Sequence, residues 1–157
     1  MIIILSDHVR YAIVRHAEET YPNECVGLLI GRIDESRIAV KDIFPALNRW
    51  TIEVGLTPTD AEHSQRDRFY LDPRDYLRAD RAARARHLDV VGCYHSHPDH
   101  PATPSPRDLT GAQGVGGGSG FVFLIQSVCD GRATELTAWT LDPTGSRFVA
   151  QEIDIER

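Results

Sequence analysis

The chain lacks an excess of positive charge. Its formal net charge is −6 over 157 residues, and general affinity for nucleic acid depends on Lys and Arg facing phosphates. Nucleic acid is therefore not an expected partner. Basic residues concentrate between Arg66 and Arg86 but alternate there with acids, the pattern of a solvated helix face. No run reaches the roughly 20 apolar residues of a membrane span. The opening Met1-Ile2-Ile3-Ile4-Leu5 is apolar, yet too short for a secretory signal and without a basic flank. A soluble, cytoplasmic protein with no membrane partner is the expectation. Cysteine is scarce: Cys25, Cys93 and Cys129 are an odd number lying in apolar runs, as reduced core thiols do. Cys25 and Cys93 flank Glu24 and His95, so a disulfide or a metal contact between them stays open. Repeats and an interdomain linker are absent too, which points to a single domain over residues 1–157, long enough for a real core. Glycine does cluster between Gly111 and Gly120, but neither phosphate-cradling spacing is present. That segment reads as a flexible connection.

What the chain does have is a dense stretch from His95 to Asp108, H-S-H-P-D-H-P-A-T-P-S-P-R-D. The preceding Leu88–Tyr94 run is mostly apolar and reads as a buried strand. Side chains two apart on a strand share a face, so His95 and His97 converge. Ser105-Pro106-Arg107-Asp108 then opens a helix, with Ser105 as N-cap and Pro106 at the first helical position. A carboxylate at the third position, Asp108, faces the positive end of the helix dipole. Two imidazoles and a carboxylate suit zinc, and three protein ligands leave a position for water, as in catalytic sites. Such a site needs a general base off the metal. Glu24, at the edge of the apolar run Cys25–Gly31, is the best candidate.

These residues together resemble the JAMM (MPN-plus) zinc metalloprotease signature: Glu24, then His95-x-His97-Pro98, then Ser105-x-x-Asp108. The resemblance runs from about Ser6 to Cys129 and implies the compact prokaryotic type. It implies one zinc per chain held by His95, His97 and Asp108, with Glu24 activating the water and Ser105 hydrogen-bonding the oxyanion. It further implies cleavage of a peptide or isopeptide bond after the Gly-Gly tail of a ubiquitin-like or sulfur-carrier protein. Such a tail is expected to add as a strand to an exposed sheet edge.

Around this stretch the chain reads as a mixed α/β (α+β) domain. Ile2–Leu5 is a strand, and Ser6 caps a helix to about Thr20 with Val9, Ile13 and Ala17 on one face. His16 is a boundary residue. Cys25–Arg32 and Arg37–Phe44 form a hairpin, Pro45 interrupts, and Trp50–Val54 is another strand. Gly55–Arg68 reads as a loop or flap, with His63 a solvated loop residue. Phe69–Leu71 is a short strand, and Asp72-Pro73 starts a second helix leading to a parallel strand at Leu88–His97. Phe121–Val128 and Glu135–Leu141 pair across Asp130-Gly131, and Arg147–Ile155 is the last strand. The expected sum is a curved, largely antiparallel sheet with two main helices, which agrees with the MPN fold the resemblance implies. Asp99 and His100 are loop residues, with a supporting role at the site left open.

Three other functions stand beside the peptidase. A non-catalytic MPN scaffold would lack the ligands that this chain has. A zinc hydrolase of a small amide would use the same site. A DNA-repair-associated relative is disfavoured by the acidic charge.

Overall fold

The computed structural model describes residues 1–54, 62–115 and 120–157. Ser6 accepts a hydrogen bond from Val9 N at 3.1 Å, so the chain leaves β1 (Ile2–Ser6) directly into α1 (Asp7–Thr20). Next come β2 (Val26–Asp34), β3 (Arg37–Ala46), α2 (Pro73–Ala85), β4 (Asp89–Pro98), α3 (Pro106–Val115), β5 (Val122–Cys129), β6 (Arg132–Leu141) and β7 (Phe148–Glu156).

The seven strands close into a barrel in the order β1-β3-β2-β4-β5-β6-β7. Four of the pairings are antiparallel; β1/β3, β1/β7 and β4/β5 are parallel. The expected curved sheet is thus present, but β1 closes it by pairing with both β3 and β7. Every strand has two neighbours over part of its length, and the edge that remains is short: among the described residues Lys41–Ala46 of β3 and Arg132–Thr137 of β6 have a strand on one side only. Asp130-Gly131 makes the tight turn between β5 and β6, with φ of 50° and 81°. Those positive angles favour Asp and Gly, as the dipeptide suggests.

Val9, Ile13 and Ala17 recur at helical spacing and bury the inner face of α1 against Ile3, Leu29, Ile38, Tyr94 and Leu124. α2 lies on the other side, against β2 and β4. There Ala79 packs with Leu28, Cys93 and Phe123. β4 is thus covered on both faces, which is why its run is apolar throughout. An irregularity in the β2/β4 register between Leu29 and Ile30 changes its alternation. Val91 and Tyr94 both face α1, while Val90 and Cys93 face α2. One extra residue in a strand re-aims every side chain beyond it. Here it sends His95 and His97 out on the face of Cys93. Gly92 lets β5 approach, since a Cβ there would lie 2.1 Å from the Val122 carbonyl oxygen.

Several local expectations are corrected. Pro45 does not end β3, which runs on to Ala46; Pro lacks only the N–H, and its partner Gly27 still aligns with it. Trp50–Val54 is not a strand, and Ile52–Val54 form a 3-10 turn. Phe69–Leu71 is irregular: Tyr70 N donates to Asn48 Oδ1 and the Tyr70 carbonyl accepts from Arg49 N, with no strand ladder. α2 does not lead to its parallel partner: β4 pairs antiparallel with β2, and parallel with β5 through α3. A third helix, α3, continues through Gly111 to Val115, where a flexible connection was expected. The remainder of that expectation, and the first part of the expected flap, fall on residues 116–119 and 55–61, outside the described residues. No helix among the described residues is long and apolar enough to cross a membrane.

Candidate metal centre

The end of β4 and the start of α3 bring His95, His97 and Asp108 together. Their ligand atoms all lie within 4.8 Å of one another. His95 Nε2 is 3.1 Å from His97 Nε2 and 3.2 Å from Asp108 Oδ1, and His97 Nε2 is 3.0 Å from Asp108 Oδ2. Ligands at about 2.0–2.2 Å in a tetrahedron stand roughly 3.3 Å apart, so this spacing fits a zinc-sized cation. The side chains are all less than a tenth exposed. His97 Nδ1 donates to the Pro101 carbonyl at 2.7 Å, which places the lone pair of the neutral ring on Nε2, facing the cluster. Two basic nitrogens 3.1 Å apart need a proton or a cation between them. The donor set therefore suits a divalent metal with nitrogen and oxygen ligands.

Each ligand is oriented by a neighbour. The Phe69 ring stacks on His95, with centroids 4.5 Å apart and planes 26° from parallel. Ser105 N donates to Asp108 Oδ2 at 2.9 Å, and Asp108 N returns a bond to Ser105 Oγ at 3.1 Å. That reciprocal pair is the helix cap expected from the sequence. Burial works against ionisation of Asp108, but the two imidazoles outweigh it and hold the carboxyl well below the usual range. The same pairing reverses the effect of burial on His97 and raises its pKa.

Glu24 sits just before β2, beside the pairing of Val26 with His95. Cys25 N donates to Ser96 Oγ at 2.8 Å, and Ser96 N to the Cys25 carbonyl at 3.2 Å. These two bonds tie the Glu24 end of the chain to the segment between the two histidines. Glu24 is 5 % exposed. Burial first, then the charges of Asp108 and Asp67, push its carboxyl well above the usual range.

The residues that sequence reasoning missed are polar clasps. Asn48 Nδ2 donates to the carbonyls of Glu24 and Arg68, at 3.0 and 2.9 Å. Its Oδ1 accepts from Trp50 N and Tyr70 N, at 3.0 and 3.1 Å. Gln65 Nε2 adds bonds to the carbonyls of Asn48 and Trp50, and its own carbonyl accepts from Glu24 N at 2.7 Å. One Asn between two strands carries no periodic signal, so nothing in the sequence marks it. His63 pairs with Asp67 and does not join the metal cluster. Asp99 pins the loop after His97, accepting from Tyr21 Oη at 2.7 Å and Asp130 N at 3.0 Å. His100 contributes its carbonyl, which accepts from Ser127 Oγ at 2.6 Å. His16 is a half-buried boundary residue whose Nδ1 lies 2.7 Å from Tyr94 Oη.

Cys25 and Cys93 are free and buried. Cys25 belongs to the core under α1 and Cys93 to that under α2 and α3, so the sheet separates them and no disulfide joins them. Burial pushes both thiols up to about 12.

Comparison with known proteins adds three relatives. The chain is 32% identical over 152 residues to the desampylase of Haloferax volcanii, covering 94% of this chain and 95% of that one. It is 32% identical over 110 residues to the probable TtuB-protein conjugate cleaving protease of Thermus thermophilus, covering 69% of this chain and 60% of the relative. A solution structure from Desulfitobacterium hafniense superposes with a TM-score of 0.73 at 26% identity, covering 98% of this chain and 92% of that one. The model of the prokaryotic homologues of the JAB domain matches residues 6–142. That span includes both strands of the site, α3 and every signature residue, and the chain belongs to this family of prokaryotic JAB-domain proteins.

Proposed function

We propose that this protein is a zinc-dependent peptidase or isopeptidase that cuts after the C-terminal Gly-Gly of a ubiquitin-like or sulfur-carrier protein. The observation that carries the reading is the trio of ligand atoms 3.0–3.2 Å apart at the end of β4. The names of the relatives support the substrate class: one is a probable TtuB-protein conjugate cleaving protease and the other a desampylase.

His95, His97 and Asp108 would hold the metal. Zinc bound there supplies a Lewis acid and makes water nucleophilic near neutral pH. Glu24 takes the proton of the attacking water and delivers it to the leaving amine nitrogen. Its raised pKa suits both halves of that task, because the carboxyl must gain a proton and then give it up. Ser105 Oγ already accepts from Asp108 N, so its hydroxyl hydrogen remains to donate to the developing oxyanion. The tail lies in the cleft that opens at His95 and Asp108, between α3 and the Phe69–Leu71 segment. The diglycine lets its backbone pass close to the ligands without side-chain clashes.

The test uses carrier fusions ending Gly-Gly followed by a short peptide, with and without chelator, beside fusions carrying Ala-Val or Leu-Leu at the same place. Chelator-sensitive release from the Gly-Gly fusion alone is expected. Equal cleavage of all three removes the diglycine rule. Cleavage of none by the metal-loaded protein favours a small amide substrate.

A further inference from the structure

Within that cleft, beside the metal cluster, lies an apolar cavity of about 230 Å³ whose occupant the steps above leave unassigned. It begins at His95 and Asp108 and runs between α3 and the Phe69–Leu71 segment, over β4 and β5. Phe69, Leu71, Phe123 and Phe148 form much of its wall. Its continuity with the ligands makes it part of any substrate path through the site.

Gly111 lines the same cavity, three residues after Asp108 and inside α3. Glycine is a poor helix former, and two ordinary reasons for tolerating one are missing here. Its φ is not positive. A Cβ built on it would meet no atom within 4 Å. Gly27 and Gly92 differ, because a Cβ there would strike Tyr94 or the Val122 carbonyl. Neither backbone conformation nor packing demands glycine at 111. What the missing side chain leaves is room.

We propose that the cavity receives a bulky apolar side chain from the substrate residue immediately before the diglycine, and that Gly111 sets the size admitted. The proposal rests on the peptidase reading of the neighbouring cluster. In an extended tail each residue advances about 3.3 Å, so that residue stands within roughly 10 Å of the scissile carbonyl. It is also the first residue upstream of the cut with a side chain to insert. Phe and Leu walls favour Leu or Phe there over a polar side chain, whose burial costs its hydration. Burial of such a side chain corresponds to roughly 10- to 150-fold in kcat/KM.

The experiment uses full-length protein and fusions of a small ubiquitin-fold carrier ending Xaa-Gly-Gly-peptide, with Xaa as Leu, Phe, Ala or Asp. Each is assayed with wild type, Gly111→Ala and Gly111→Leu, and bound metal and thermal unfolding are measured on every variant. Wild type is expected to favour Leu and Phe over Ala and Asp by about tenfold or more. Gly111→Leu should erase that ratio while keeping metal, fold and cleavage of the Ala fusion, with Gly111→Ala in between. Equal rates for all four Xaa in wild type overturn the proposal. So does a Gly111→Leu protein that keeps the ratio or slows every fusion alike; if it does not fold, a Gly111→Ala ratio equal to wild type overturns it instead. A wild type that is selective for Gly-Gly but indifferent to Xaa refutes only the cavity assignment. One that cleaves no fusion refutes the peptidase reading and this proposal with it.

Discussion

Ser105 and Asp108 hold each other: each backbone N–H donates to the other's side-chain oxygen, at 2.9 and 3.1 Å. One residue is thus both the cap of α3 and the neighbour of a proposed metal ligand. Ser105→Ala should destabilise the protein by about 1 kcal/mol through the lost cap. Turnover should fall on the order of a hundredfold through the lost oxyanion donor. Denaturant titration and metal analysis beside the kinetics separate the two. We expect metal to be retained, because Asp108 keeps the Ser105 N–H. Parallel loss of metal and activity would leave the hydroxyl with a structural role alone.

Asn48 should matter out of proportion to its position in a connecting segment. Its side chain bonds four backbone groups that lead to Glu24, Trp50, Arg68 and Tyr70. Asn48→Ala leaves those groups without their partner and should destabilise by about 2 kcal/mol. Asn48→Asp keeps the two accepted bonds and should recover part of the loss. Because the clasp holds the backbone at Glu24 and next to Phe69, kcat should drop more than KM rises. An Asn48→Ala protein with wild-type kcat would confine the clasp to stability.

Much of this architecture is legible in the sequence, and the exceptions share a cause. The Ser6 cap, the Asp72-Pro73 start and the Asp130-Gly131 turn are local chemistry, and the structure has all three. The grouping of His95, His97 and Asp108 follows from strand and helix spacing plus one short loop. Barrel closure does not, because the pairing of β1 with β7 joins the two ends of the chain. The re-aiming of β4 is likewise invisible, since a register irregularity depends on the partner strand. α3 was underestimated because Gly111 and Gly114 outweigh the cap in any propensity count. The long-range bonds of the Asn48 and Gln65 side chains span 15 to 24 residues and follow no period that a sequence could show.

The thiols offer an inexpensive check on the two-sided core. Cys25 and Cys93 are buried on opposite faces of the sheet, and Cys129 is exposed. A thiol reagent should modify one cysteine per native chain and all three after denaturation. Rapid native reaction of Cys93 would mean that the α2 side of β4 opens readily.

His16 sets a pH dependence away from the ligands. Burial lowers its pKa below 6.5, outweighing the opposite pull of Glu19. A group depressed in the folded state contributes stability that is full above its unfolded value and is lost as pH falls through the folded one. Stability should therefore decline as pH drops below about 6.5, and His16→Gln should flatten that part of the curve. Denaturation midpoints at several pH values, wild type against variant, give the comparison. Parallel curves would assign the decline to other groups.

The metal content of protein purified without added metal bears most directly on the proposed chemistry. Wild type and Glu24→Gln should each carry about one zinc per chain, with Glu24→Gln nearly inactive because it lacks the proton acceptor. His97→Ala and Asp108→Ala should be folded and metal-free. Full zinc occupancy in His97→Ala and Asp108→Ala, or none in wild type, would contradict the assignment of His95, His97 and Asp108 as the ligands.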